Sequence, residues 1–212
     1  MKRLALIGSK DFAEQIQILA EETGEYKVVG YFDDFEKKGT LIRSLPILGK
    51  IEDIETEYRR GKFDSVFLAA GYNNFAFREF VFKTIYGKVP FATIISSSVK
   101  VGINVKIGDG VYIGNNTVIG DRTVIGNNVF MHGDTTIAHD NEIGDHTYLS
   151  GRINTAGFCK IGKRCFVGIC VIFSEHIFIV NDVWIGLGCV VAKSIKEPGK
   201  YMSPSAKLYK IE

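Results

Sequence analysis

Nothing in this 212-residue chain approaches a membrane-spanning stretch, and the apolar run Leu4-Ala5-Leu6-Ile7 behind Met1-Lys2-Arg3 is too short for a secretory signal. Basic blocks are missing as well. Lysine and arginine outnumber aspartate and glutamate by two, so neither nucleic acid nor a membrane is an expected partner. Cysteine is sparse, and Cys159, Cys165, Cys170 and Cys189 include no Cys-x-x-Cys spacing, so no metal site is expected. Reduced thiols fit a cytoplasmic location. What is present is an ordinary globular composition, 46% hydrophobic and 24% charged, long enough for one large or two modest domains.

Residues 101–190 repeat every six positions without insertion or deletion, in fifteen units such as Ile119-Gly120-Asp121-Arg122-Thr123-Val124. The first position is apolar in nearly every unit, the second is mostly glycine, and the fifth is usually small or β-branched. A fixed short period means a solenoid, whose units bury their apolar side only by stacking on neighbours. Six residues suit a short strand plus a corner, with the first and fifth positions inward and glycine or a small polar residue serving the turn. Three units close a triangular coil, so residues eighteen apart stack on neighbouring rungs, about 4.8 Å from each other. Cys159, Cys165 and Cys189 occupy fifth positions and are expected to be buried.

Before the repeat the pattern alternates. Residues 3–7, 27–32 and 65–70 read as strands, residues 11–22, 51–60 and 75–86 as helices, and residues 91–95 as a strand leading into the prism. This implies a Rossmann-like parallel α/β sheet over residues 1–95 and a β-helix with a C-terminal tail over 96–212. Ligands of such sheets bind at the carboxyl ends of the strands, where Gly8, Ser9, Asp33, Asp34 and Gly71 stand. Glycine lets a phosphate approach the backbone at a helix N-terminus, and a carboxylate after the second strand can accept hydrogen bonds from a ribose or base.

Several landmarks together resemble one family: Gly30-Tyr31-Phe32-Asp33-Asp34, Pro46-Ile47-Leu48-Gly49, Phe91-Ala92-Thr93-Ile94-Ile95, His139-Asp140, Ala156-Gly157 and Gly186-Leu187-Gly188. The chain resembles, over its whole length, the bacterial sugar O-acyltransferases of the sialic-acid acetyltransferase type and the related nucleotide-amino-sugar N-acetyltransferases. The resemblance implies a left-handed parallel β-helix, a homotrimer with active sites between subunits, and acetyl-CoA as co-substrate. It also implies that His139 is a general base oriented by Asp140, and that Gly157 offers its N–H to the thioester carbonyl. Ala156, Gly186 and Lys207 would line the coenzyme.

The repeat supports the pairing independently, because Gly157 lies eighteen residues after His139 and therefore one rung away on the same face. The units around them, residues 137–142, 149–154 and 155–160, are also the least regular, and a solenoid that breaks its packing rule locally is a place to look for a site. His132, His139 and His146 fall at three different positions of the repeat and cannot converge within one chain.

Four departures bear on the acceptor. The first glycine loop is reduced to Gly8-Ser9-Lys10-Asp11; the domain junction reads Ile95-Ser96-Ser97 where a histidine is frequent; Tyr148 stands where some amino-sugar acetyltransferases carry a histidine; and the C-terminal loop reads Ser203-Pro204-Ser205-Ala206-Lys207. Tyr148 keeps a hydroxyl for sugar or phosphate. Acetyl transfer to a nucleotide-linked amino sugar is the leading expectation. Transfer to a sugar hydroxyl is the alternative, and a non-catalytic trimeric scaffold is a third reading.

Overall fold

The computed structural model describes residues 1–69 and 74–204. The N-terminal unit runs β1 (Lys2–Ile7), α1 (Asp11–Glu22), β2 (Tyr26–Phe32), β3 (Leu41–Ile42), β4 (Leu45–Gly49), α2 (Ile54–Arg59), β5 (Ser65–Leu68) and α3 (Phe75–Ile85). The sheet order is β3-β4-β2-β1-β5, parallel except for β3. β1 lies between β2 and β5, and its Leu4, Ala5, Leu6 and Ile7 are fully buried, as a parallel strand between covering layers must be. α1 buries Ala13, Ile16, Leu19 and Ala20, one stripe of a 3.6-residue period.

Two features depart from the sequence expectation. The helix read over 51–60 is a 3₁₀ turn at Ile51–Asp53 followed by α2. The β3–β4 hairpin was not anticipated. Its two turn residues, Arg43 and Ser44, have φ of 48° and 66°. Such turns are normally announced by Asn-Gly or Asp-Gly, and Arg-Ser carries no such signal.

The prism begins at β6 (Ile94–Ile95), which pairs with Tyr112–Ile113. Three parallel sheets of six, five and seven strands follow, in the register expected for an eighteen-residue coil: Thr136 beside Asn154, Glu142 beside Lys160, Tyr148 beside Phe166. The fold is a left-handed parallel β-helix. First- and fifth-position residues fill its interior, Ile119, Ile137, Cys159, Cys165 and Val171 among them.

The turn, however, is made differently from the sequence reading. At every fourth position from Asn104 to Gly188 the backbone is left-handed, with φ between 52° and 69°. These corners hold mostly asparagine, aspartate, arginine and histidine. The second-position glycines serve close approach instead: a Cβ on Gly120 would stand 2.5 Å from the backbone nitrogen of His139 on the next rung.

The seven-stranded face carries a column of stacked rings, Tyr112, Phe130, Tyr148, Phe166 and Trp184, with centroids 4.1–5.5 Å apart. The N-terminal unit docks on this column. Phe12 of α1 meets Phe130 at 4.6 Å, and Tyr112, Phe130 and Tyr148 share one core with Leu4, Leu6 and Ile16. α3 covers an adjoining corner, where fully buried Arg78 donates to Asn128 Oδ1 at 2.7 Å and Phe82 packs edge-on against His146. Of the dense α3 phenylalanines, Phe82 is buried at this junction and Phe80 is exposed. The corner opposite the docked face, between the six- and five-stranded sheets, holds His139.

Candidate active site

His139 projects from its corner with half of its side chain exposed. Its Nδ1 lies 2.7 Å from Asp140 Oδ2. Asp140 accepts two further bonds of 2.7 Å from Nε and Nη2 of Arg122, one rung below. The Arg122 guanidinium, and after it His139, hold the Asp140 carboxyl well below the usual carboxylate range. An ionised carboxylate only accepts, so Nδ1 of His139 carries the proton and Nε2 presents a lone pair.

The ring lies against Gly157, as the eighteen-residue step requires. A Cβ on Gly157 would stand 2.7 Å from His139 Cε1 and 3.0 Å from Nε2, so only glycine leaves the imidazole its place. The Gly157 amide is open as well. At four third positions of the repeat the amide is capped from the next rung: Ile103 by Asp121, Asp109 by Asn127, Asn127 by Asp145, and Lys163 by Asn181. Next in line after Gly157 is Glu175, which makes no such bond, and among the described residues the Gly157 N–H has no acceptor. A base nitrogen and an uncapped N–H therefore sit side by side on an exposed corner, an arrangement suited to proton removal at an attacked carbonyl.

Three residues of this corner escaped the sequence reading. Arg122 precedes Asp140 by eighteen, the same step that pairs His139 with Gly157. Phe158 sits edge-on to His139 with centroids 5.2 Å apart. Asn141 fills a buried fifth position, and its Nδ2 lies within 3.1 Å of the carbonyls of Ala138, His139 and Ala156, which ties the two rungs of the corner together. Its signal is a polar amide where the repeat wants a small or apolar side chain.

A second concavity lies at the carboxyl ends of β1 and β2. It measures about 330 Å³ and gathers Gly8, Ser9, Asp33 and Asp34 with Lys10, Phe12 and Phe77. Asp33 Oδ2 accepts from the amide and hydroxyl of Ser9, at 3.1 and 2.6 Å, and Oδ1 accepts from the Phe35 amide. Asp34 accepts from the Ile51 amide at 2.9 Å. Both carboxylates thus brace the loops that shape the cavity. Gly8, at φ 100°, turns the chain into it. Phe35, 89% exposed, also lines its rim.

The remaining expected site residues lie elsewhere. Ala156 adjoins Gly157, and its carbonyl is taken by Asn141. Tyr148 is buried in the seam between the two units, where its hydroxyl meets His132 Nε2 at 2.6 Å; it does not face His139 of the same chain. Gly186 is buried beneath the Gly199–Tyr201 strand and donates to the Tyr201 carbonyl at 2.8 Å, on the side of the prism away from His139. Gly71 and Lys207 fall outside the described residues.

Comparison with known proteins bears on both units. Residues 3–85 match the family model described as the PglD N-terminal domain. UDP-3-O-acylglucosamine N-acyltransferase of Bordetella avium is 45% identical over 65 residues, which is 31% of this chain. The chain spans only 18% of the length of that relative. PerB from Caulobacter crescentus, solved in complex with CoA and GDP-perosamine, superposes with a TM-score of 0.85 over 99% of this chain and 98% of that one, at 20% identity. The acetyltransferase domain of PglB from Neisseria gonorrhoeae, in complex with acetyl coenzyme A, gives 0.84 over 95% and 96%, also at 20% identity. Residues 3–85 are thus similar to the PglD N-terminal domain, and the chain as a whole shares the fold of these two solved acetyltransferases.

Proposed function

We propose that this protein is an acetyl-CoA-dependent N-acetyltransferase that modifies the amine of a nucleotide-linked amino sugar for bacterial surface glycans. One observation carries the reading: the free Nε2 of His139 beside the uncapped N–H of Gly157. The amine attacks the thioester carbonyl. His139 takes its proton as the C–N bond forms, Asp140 stabilises the resulting imidazolium, and Gly157 N–H donates to the developing oxyanion. Collapse of the tetrahedral intermediate releases the coenzyme thiolate, which recovers a proton from His139. No enzyme-bound acyl intermediate is needed.

Within one chain the concavity at Asp33 and the corner at His139 lie on opposite sides of the prism, so a nucleotide sugar held by one cannot reach the other. A homotrimer, with the N-terminal unit of one copy facing the His139 corner of the next, resolves this. The relatives named for nucleotide sugars, and the GDP-perosamine bound to PerB, support an acceptor of this kind. Among the described residues no helix is long and apolar enough to cross a membrane, in keeping with a cytoplasmic enzyme. Transfer to a sugar hydroxyl is the second reading. It is favoured by one feature, the engagement of Asp33 and Asp34 by their own loops.

The test is thiol release from acetyl-CoA, with 3-amino and 4-amino nucleotide sugars paired with their hydroxyl counterparts and with free sialic acid. Turnover with an amine alone is expected. Turnover with a hydroxyl alone would install the second reading, and absence of coenzyme binding would leave the scaffold.

A further inference from the structure

The fourth-position corners of the prism favour residues that tolerate a left-handed backbone, and Phe158 is the exception. Its φ is 60°, where a bulky apolar side chain is rarely found. The other non-glycine corners of the prism hold asparagine, aspartate, arginine, histidine and one cysteine. Phe158 does not earn its place in the core: 46% of it is exposed, and it belongs to no buried cluster. Backbone strain combined with an exposed ring points to a task outside the fold.

The ring is braced on two sides. His139 meets it edge-on at 87°, and His176, one rung above, stacks on its face at 4.9 Å and 2°. Its amide donates to the His139 carbonyl at 3.2 Å, so its backbone is fixed to that of the base. It directly follows Gly157, whose N–H has no acceptor among the described residues. A thioester oxygen on that N–H puts the acyl carbon beside the Phe158 ring. The charged groups, Arg122, Asp140 and Asp121, lie on the other side, toward the rung below. A polar acceptor therefore has its partners below the base, and the apolar donor end has Phe158 and His176 above it.

We infer that Phe158 walls the acyl slot and restricts the donor to a two-carbon acyl group. This rests on the acetyltransferase reading and adds to it the residue that limits the length of the acyl chain. A methyl group fits between the carbonyl and the braced ring, whereas a longer chain must push the ring off its contacts with His139 and His176.

Isothermal titration of the purified full chain with CoA, acetyl-CoA and butanoyl-CoA tests this without the sugar. The wild type is expected to bind acetyl-CoA roughly 10-fold or more tightly than butanoyl-CoA, the scale of discrimination one or two methylenes provide. In Phe158→Asn, which installs a residue the other corners already use, the ratio should collapse to less than about threefold while CoA affinity stays within about twofold, far below the tenfold discrimination such a wall can impose. The same variant should melt about 2–4 °C higher, because the strained backbone is relieved. Equal binding of the two thioesters by the wild type, or an unchanged ratio in the variant, would overturn the role of Phe158 and leave the transferase reading intact. A lower melting temperature with an unchanged ratio would make the ring a packing element. If none of the three ligands binds, the acyltransferase reading falls and this inference with it.

Discussion

His139 and His146 stand seven residues apart in the same repeat, and each has a polar neighbour through Nδ1. One is half exposed and held by an ionised aspartate. The other is 4% exposed, bonded to Asn128 at 2.9 Å and covered by α3. His139 stands at the third position of its corner and His146 at the left-handed fourth position, and the two corners also differ in what packs outside them. The bare corner has a carboxylate, a guanidinium and an uncapped amide, and can move a proton. At the covered corner burial holds His146 down at about 4, so it stays neutral and serves as a spacer between the two units. A histidine in a solenoid therefore takes its meaning from its place in the repeat and from the layer that covers it.

Exchanging the two residues' fates breaks this contrast most sharply. His139→Asn should lower kcat by ~10²-fold or more in coupled thiol-release assays, the usual weight of a general base, with the melting temperature nearly unchanged. His146→Ala should do the reverse. It leaves Asn128 Nδ2 without its partner in a buried seam, costing about 2 kcal/mol in denaturant titration while the folded fraction keeps its turnover. Loss of activity in His146→Ala without loss of stability would erase the distinction.

Gly157→Ala probes the bare corner alone. The added methyl would come 2.7 Å from the His139 ring, and an exposed ring can rotate away, so stability should hold. Displacing the base should still cost ~10²-fold in kcat, as about 1 Å of misplacement does. Normal kcat in this variant would mean that the ring need not lie against residue 157. Arg122→Met should have a smaller effect, about 10-fold on kcat with KM within about twofold, because it frees the Asp140 carboxylate without removing it. Arg122→Lys restores the charge without the two-pronged fork and should recover only part of the loss. If Arg122→Met matches the wild type, the pair is an ordinary surface ion pair.

The contrast also shows what could be read before the structure. The prism was legible because a rigid period propagates: each residue has a fixed neighbour eighteen positions on, and His139 with Gly157 follows from counting. The same count reaches Arg122 and Phe158 from Asp140, but along the fourth position, where a glycine or small polar residue was expected at the turn and arginine and phenylalanine stand instead. The covered corner was illegible for a different reason. Arg78 lies 50 residues from Asn128 in sequence, and no local pattern announces a contact between a helix and a prism corner. The β3–β4 hairpin was hidden by Arg43-Ser44, and Tyr148 and Gly186 were judged without the layers that bury them. Solenoid positions are readable, whereas the partners that cover them are tertiary facts.

The mildest expected effect concerns pH. In the unfolded chain His146 titrates near ~6.5, whereas in the folded protein burial holds it at about 4. As pH falls, the unfolded state takes up the proton first. The stability that His146 contributes is complete above ~6.5, declines as pH drops through that value and levels off below about 4. Between pH 7 and 5 this amounts to about 2 kcal/mol, measurable by urea titration. Carboxylates add their own slopes, so the informative quantity is the difference from His146→Asn, which keeps an amide against Asn128 and removes the titration. That variant should lose less stability than the wild type over the same interval. If His146→Asn keeps the full wild-type slope, burial of this imidazole does not set the pH dependence.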